Sequence, residues 1–214
     1  MHEVLHHLGY LAGGLGTTLE LSLLGFAGAV VLGTLLTVMR VSPILPLRVL
    51  GTLYVEVFRN VPLLAFLVLF VFGLPDAGIT YSLFTSEAIC LALYFAGYVC
   101  EAVRAGINAV PVGQAEAARA IGMTFGQSLA LVILPQAFRT MVQPLANVFI
   151  GVVLSSSLGA AVGVSELIGR TQWLDLQYDE PVPTFLLATV GYVLITLAVG
   201  LLAGRLQKRM AVRR

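Results

Sequence analysis

The stretch QAEAARAIGMTFGQSLALVILP, Gln114 to Pro135, is a polar island between two long apolar runs and is too charged to lie in lipid. Its first half, Gln114 to Gly122, carries the helix formers Ala115, Ala117, Ala118 and Ala120, with Glu116 in the first turn and Gly122 at the end. That pattern predicts a short, capped helix. Ala117 and Ala118 give it a face of little more than methyl groups, which lets another protein's backbone come close, as a helix seated in a partner's groove requires. A plain connector whose alanines follow helix propensity reads equally well from composition.

Outward from this island the chain is apolar. Of its 214 residues 58% are hydrophobic and 11% charged, more apolar surface than a soluble domain of this size can bury. A bilayer core needs about 20 apolar residues per helix. Stretches of that kind are Leu15–Met39, Val49–Leu74, Thr85–Arg104, Arg139–Val162 and Thr184–Gly204. The reading is an all-α, multi-pass membrane protein with five transmembrane helices. Residues 1–14 form an external tail, 15–204 the membrane domain with a loop at 111–137, and 205–214 a basic tail. The first run is too long for a signal-peptide core and lacks a basic region before it, so it reads as an uncleaved span.

Orientation follows from the basic residues. Arg40, Arg48, Arg104, Arg119, Arg139, Arg205, Lys208, Arg209, Arg213 and Arg214 fall on one side, Arg170 alone on the other, and Arg59 within a span. The positive-inside rule places the N-terminus outside, and the C-terminus and the Gln114–Pro135 island in the cytoplasm. The net charge of +1 carries little information by itself, and nothing in the sequence suggests a nucleic-acid partner. Cys90 and Cys100 stand roughly 15 Å apart along one helix and read as buried small residues. His2 and His6 share a helix face, but no further ligands cluster with them, so no metal site is expected.

Polar residues inside the spans mark where packing or chemistry occurs. Gly25, Ala29 and Gly33 recur at fours, the pattern that lets membrane helices approach closely. Glu20, near the outer end, reads as structural. In the second span Pro62 removes a donor beside Arg59 and Asn60 and can kink or open the helix. Arg59 either pairs with Glu56, three residues away, or lines a path and holds a substrate carboxylate. In the third span Glu101 and Arg104 stand three apart at the inner end, below Tyr94 and Tyr98. The fourth span carries Gln143, Pro144, Asn147 and the run Ser155, Ser156, Ser157, whose hydroxyls either bond carbonyls of their own helix or meet a polar ligand.

Glu116-Ala117-Ala118, then Gly122, then Leu134-Pro135 resembles the EAA loop of ABC-importer permeases, with Val132 where that family usually has Ile. Glu56-Val57-Phe58-Arg59-Asn60-Val61-Pro62-Leu63 is similar to the Glu-x-x-Arg-Gly-Thr-Pro-Leu segment of the polar amino-acid branch, with Asn60 and Val61 in place of Gly and Thr. Tyr98–Pro111 and Gly163-Val164-Ser165-Glu166-Leu167 extend the likeness, which covers Thr17 to about Gly204. The resemblance implies a type I ABC importer permease fold in a bacterial plasma (inner) membrane. It makes Glu116, Ala117, Ala118, Arg119 and Gly122 an ATPase-coupling helix. Arg59, Asn60, Pro62, Asn147 and Ser155–Ser157 become the substrate path, and Glu101 with Arg104 an inner gate. The implied partners are an ABC ATPase dimer, a second permease subunit of the same or a related chain, and an external solute-binding protein. Family members usually have Lys-Asp or Lys-Asn where Leu154-Ser155 stand, which points away from cationic amino acids.

The chain has no Gly-x-x-x-x-Gly-Lys-Ser/Thr string. It is therefore expected to be no enzyme and to bind no cofactor itself, with ATP and Mg used by the separate ATPase. A secondary transporter would want a mid-membrane carboxylate cluster and often inverted repeats, and neither is legible here. A membrane scaffold that recruits an ATPase without moving solute is the other rival.

Overall fold

The computed structural model describes residues 6–210; His2, Arg213 and Arg214 lie outside the described residues. Helix α1 runs Leu8–Val41, earlier than the expected Leu15, because Leu11 and Gly14 are already buried. Much of the supposed external tail is thus the first two turns of a packed helix. Helix α2, Leu45–Asn60, carries Pro46 as its second residue, which suits a first turn whose N–H groups have no partner. It stops because Val61, preceding Pro62, is forced into extended backbone (φ −87°, ψ 136°).

Helix α3, Leu63–Val68, resumes after a 102° bend and continues through a π-turn, Leu69–Gly73. The expected second span is therefore a broken one. Tyr54 stacks on Phe58 at 4.4 Å, and Phe58 meets Phe66 edge-on at 5.3 Å, so an aromatic chain bridges the break and holds its angle.

Helix α4, Leu83–Asn108, is capped by Ser82, which accepts the Thr85 amide at 3.1 Å. Two short helices follow, α5 (Val112–Ala120) and α6 (Phe125–Gln127). A π-turn, Ser128–Ile133, leads from α6 into α7, Leu134–Ser155, which tightens to a 3-10 turn over Ser156–Val162. A capping box between Thr124 and Gln127 starts this rod at Phe125, well before the expected Arg139. The second half of the polar island is thus helix and not loop. Pro135 fits inside it because the wider π-turn just before relieves the clash between its ring and the preceding turn.

Helix α8, Leu167–Tyr178, and helix α9, Pro181–Met210, complete the chain. Among the described residues, four continuous helical stretches are long and apolar enough to cross a membrane, and the bent α2–α3 pair makes a fifth crossing if it counts as one.

The seam between α1 and α4 organises the bundle. A Cβ on Gly33 would stand 2.6 Å from the Val99 Cβ and 2.7 Å from the Ala96 carbonyl, and one on Gly25 would stand 2.8 Å from the Leu91 Cβ. Only bare backbone permits this approach, and in lipid such close packing replaces the hydrophobic effect as the source of helix association. Around the seam, Leu21, Ala29, Leu91, Phe95, Val99 and Val152 form the main core. A second cluster, Leu11, Val153, Leu167, Leu174, Ala188 and Tyr192, ties α1, α7, α8 and α9 together.

Candidate coupling surface and substrate path

Helix α5 ends in a Schellman motif. The Met123 amide donates to the Ala118 carbonyl at 3.1 Å and the Gly122 amide to the Arg119 carbonyl at 3.0 Å, with Gly122 at φ +83°. Gly122 is therefore a backbone requirement: a side chain there would meet open space but strained torsions. Glu116, Ala117 and Arg119 are exposed, whereas Ala118 is buried to 3% against the chain itself. The expected two-alanine face is corrected by this packing. Ala117 looks outward, and Ala118 lets α5 lie close to the Ser128–Ile133 turn.

Val112, Ile121 and Phe125 flank the outward face at 71%, 78% and 82% exposure. The Gln136 amide reaches the Gln114 side chain at 3.4 Å, so α5 is tied to α7 by side chains as well as by its connecting loop.

Arg59 makes no ion pair with Glu56. Its guanidinium sits over the Tyr98 ring, 5.3 Å from the centroid, and its stem packs on Gly97, near the middle of α4. The local pair fails because α2 ends here: Asn60 folds back to donate to the Glu56 carbonyl at 2.7 Å, and the chain turns at Val61. Arg59, Asn60 and Pro62 are exposed together at the break. Arg59 thus meets an aromatic face and no carboxylate among the described residues.

The serine run stands apart from it. Ser156 and Ser157 donate to the Val153 and Leu154 carbonyls at 2.8 and 2.7 Å and so satisfy themselves within their own helix. They lie beside Gly159, which abuts Glu87, ten residues or roughly 15 Å along α4 from Gly97. Asn147 is exposed on α7. The expected path thus divides into an Arg59 cluster and a serine turn at a different level.

Glu101 and Arg104 do pair, at 2.8 Å, and Arg40 from the end of α1 closes on the other Glu101 oxygen. The resulting triad clamps α1 to α4 at the end that bears α5. From sequence Arg40 is only a topology marker, since its partner lies 61 residues away.

Two buried carboxylates at the opposite end escaped the sequence reading. Glu166 is fully buried and accepts from the Thr18 hydroxyl (3.2 Å), the Tyr192 hydroxyl (2.7 Å) and the Gly169 amide (2.8 Å), joining α1, α8 and α9. Glu87 is 1% exposed, and neither of its oxygens has a hydrogen-bond partner. Its carboxylate fills the space a Cβ on Gly159 would take, 2.0 Å from that position. Glu87 falls in the second turn of α4, inside the expected Thr85–Arg104 span, and no spacing to a neighbour signals its burial.

Residues 29–212 match the family described as binding-protein-dependent transport system inner membrane component. The chain is 36% identical to the probable glutamine ABC transporter permease protein GlnM of Bacillus subtilis over 193 residues, covering 90% of this chain and 89% of that one. It is 34% identical to the glutamate transport system permease protein GluC of Corynebacterium glutamicum over 212 residues, 92% of each. The crystal structure of an amino acid ABC transporter with histidines superposes with a TM-score of 0.92 at 30% identity, covering 97% of both chains. Inward-facing MetNI methionine ABC transporter shares the fold at a TM-score of 0.78 and 23% identity, covering 96% of this chain and 98% of that one.

Proposed function

Because this chain belongs to the family of binding-protein-dependent transport system inner membrane components, it is the permease component of an ABC amino-acid importer, and we propose that it couples to a separate ATPase through helix α5. The bent α2–α3 pair counts as one crossing, giving five, with the N-terminus outside and α5 and the C-terminus in the cytoplasm. Two permease subunits face each other across a central route, and each presents one α5 to an ATPase dimer that uses ATP and Mg. A soluble binding protein delivers the solute from outside. Relatives named for glutamine and glutamate favour a polar amino acid, whose carboxylate would meet Arg59 at the break.

The observation that carries this reading is the outward face of α5. A nine-residue helix, too short to be stable alone, is held by a glycine cap and a buried alanine while Glu116, Ala117 and its apolar flanks stay open. A connector would need none of that. Reconstituted vesicles test it. Uptake should require ATP on the side bearing α5 and persist with an uncoupler present, and an ion-gradient transporter would show the reverse. A thermal-shift screen of the cognate binding protein with the proteinogenic amino acids would then identify the solute.

A further inference from the structure

Glu87 of α4 is enclosed at the end of the bundle opposite α5. Both of its oxygens lie against Gly159, in the space a side chain there would take, so the Ser156–Val162 turn closes over the carboxyl with bare backbone. No donor reaches it. The polar groups around it are committed elsewhere. The Ser156 hydroxyl donates to the Val153 carbonyl, while the Thr18 hydroxyl of α1 and the Tyr192 hydroxyl of α9 both donate to Glu166. Cys90, on the next turn of α4, is a buried free thiol. The Arg170 guanidinium of α8 donates to the Tyr10 and Ser165 carbonyls. Among the described residues, the charged group within electrostatic reach of Glu87 is Glu166, at the start of α8. Two carboxyl groups are therefore buried side by side, and only Glu166 has donors. Ionised, Glu87 would set a bare charge in an apolar interior beside a second negative one, which costs far more than leaving a neutral carboxyl short of a hydrogen bond.

We propose that this pair holds one proton at neutral pH, on Glu87, and that the proton keeps α4 seated on the Ser156–Val162 turn. Its loss sets Glu87 against Glu166 and draws in water, and the helix and the turn part. The folded chain then keeps a proton that the unfolded chain releases, so stability falls as pH rises. The site is independent of ATPase coupling and of the solute carried.

Thermal unfolding of the full-length chain in detergent, from about pH 6 to about pH 9, tests it. The wild type should melt several degrees lower at the upper end, and Glu87→Gln, which keeps the shape and cannot ionise, should lose most of that slope. Glu20→Gln, at an exposed carboxylate of α1, should keep it. At neutral pH the infrared spectrum of the wild type should carry the carbonyl stretch of a protonated carboxyl, absent from Glu87→Gln and present in Glu20→Gln, a signature that a merely structural glutamate would not give. If Glu87→Gln does not fold, the wild type decides alone, through loss of that band over the same pH rise that lowers its melting temperature. A wild-type spectrum without the band at neutral pH, or an undiminished slope in Glu87→Gln, would overturn the proposal.

Discussion

The two ends of the bundle are built on opposite plans. At one end Glu166 is fully enclosed and meets two hydroxyls and an amide from three different helices. At the other, Arg40, Glu101 and Arg104 form a half-open ion triad, and α5 leaves Val112, Ile121 and Phe125 bare. A buried carboxylate with all its donors in place is a fixed joint, because opening it strands several polar groups at once. Partly solvated ion pairs and uncovered apolar side chains cost little to rearrange. Rearrangement therefore costs less at the α5 end, and Glu166 makes the firmer joint.

The largest expected effect breaks the fixed joint. Glu166→Ala strands the Thr18 and Tyr192 hydroxyls and the Gly169 amide, and should lower stability by about 3 kcal/mol, seen as a large drop in the detergent-solubilised melting temperature. Gly33→Ala should come next. Its Cβ would collide with Val99 and the Ala96 carbonyl, an overpacking loss of about 2 kcal/mol, whereas Gly16→Ala, with nothing within 4 Å, should melt near wild type.

Smaller losses belong to the other end. Arg40→Gln removes one arm of the triad and should cost about 1 kcal/mol, with the Glu101–Arg104 pair surviving. Gly122→Ala should cost about 1 kcal/mol through its left-handed backbone alone. If this pair destabilised as much as Glu166→Ala in the same melt, the two ends would not differ in rigidity.

Local patterns carried much of this into view before any coordinates. The Gly25–Ala29–Gly33 repeat became the α1–α4 seam, and Pro62 marked the break because a proline acts on its own backbone and its predecessor. Gly122 likewise announced the end of α5. What stayed hidden depends on partners distant in sequence. Thr18 and Glu166 are 148 residues apart, and Arg40 and Glu101 are 61 apart, so no helical spacing connects them. Ala118 turned inward because nine residues of alanine-rich helix have no strong face, leaving contact with the Ser128–Ile133 turn to decide the rotation. The early start of the α7 rod, by contrast, rests on a local signal, the Thr124–Gln127 capping box, which the polar character of the stretch masks.

The central claim is that the exposed face of α5 transmits another subunit's nucleotide cycle, and Ala117→Arg tests it most directly. Ala117 is exposed, so an arginine there should leave the stability within about 0.5 kcal/mol of wild type while abolishing ATP-driven uptake and co-purification of the ATPase. Its buried neighbour Ala118 is the contrast, since arginine there should unsettle the fold itself. Full uptake and full ATPase binding by the Ala117→Arg chain would contradict the account.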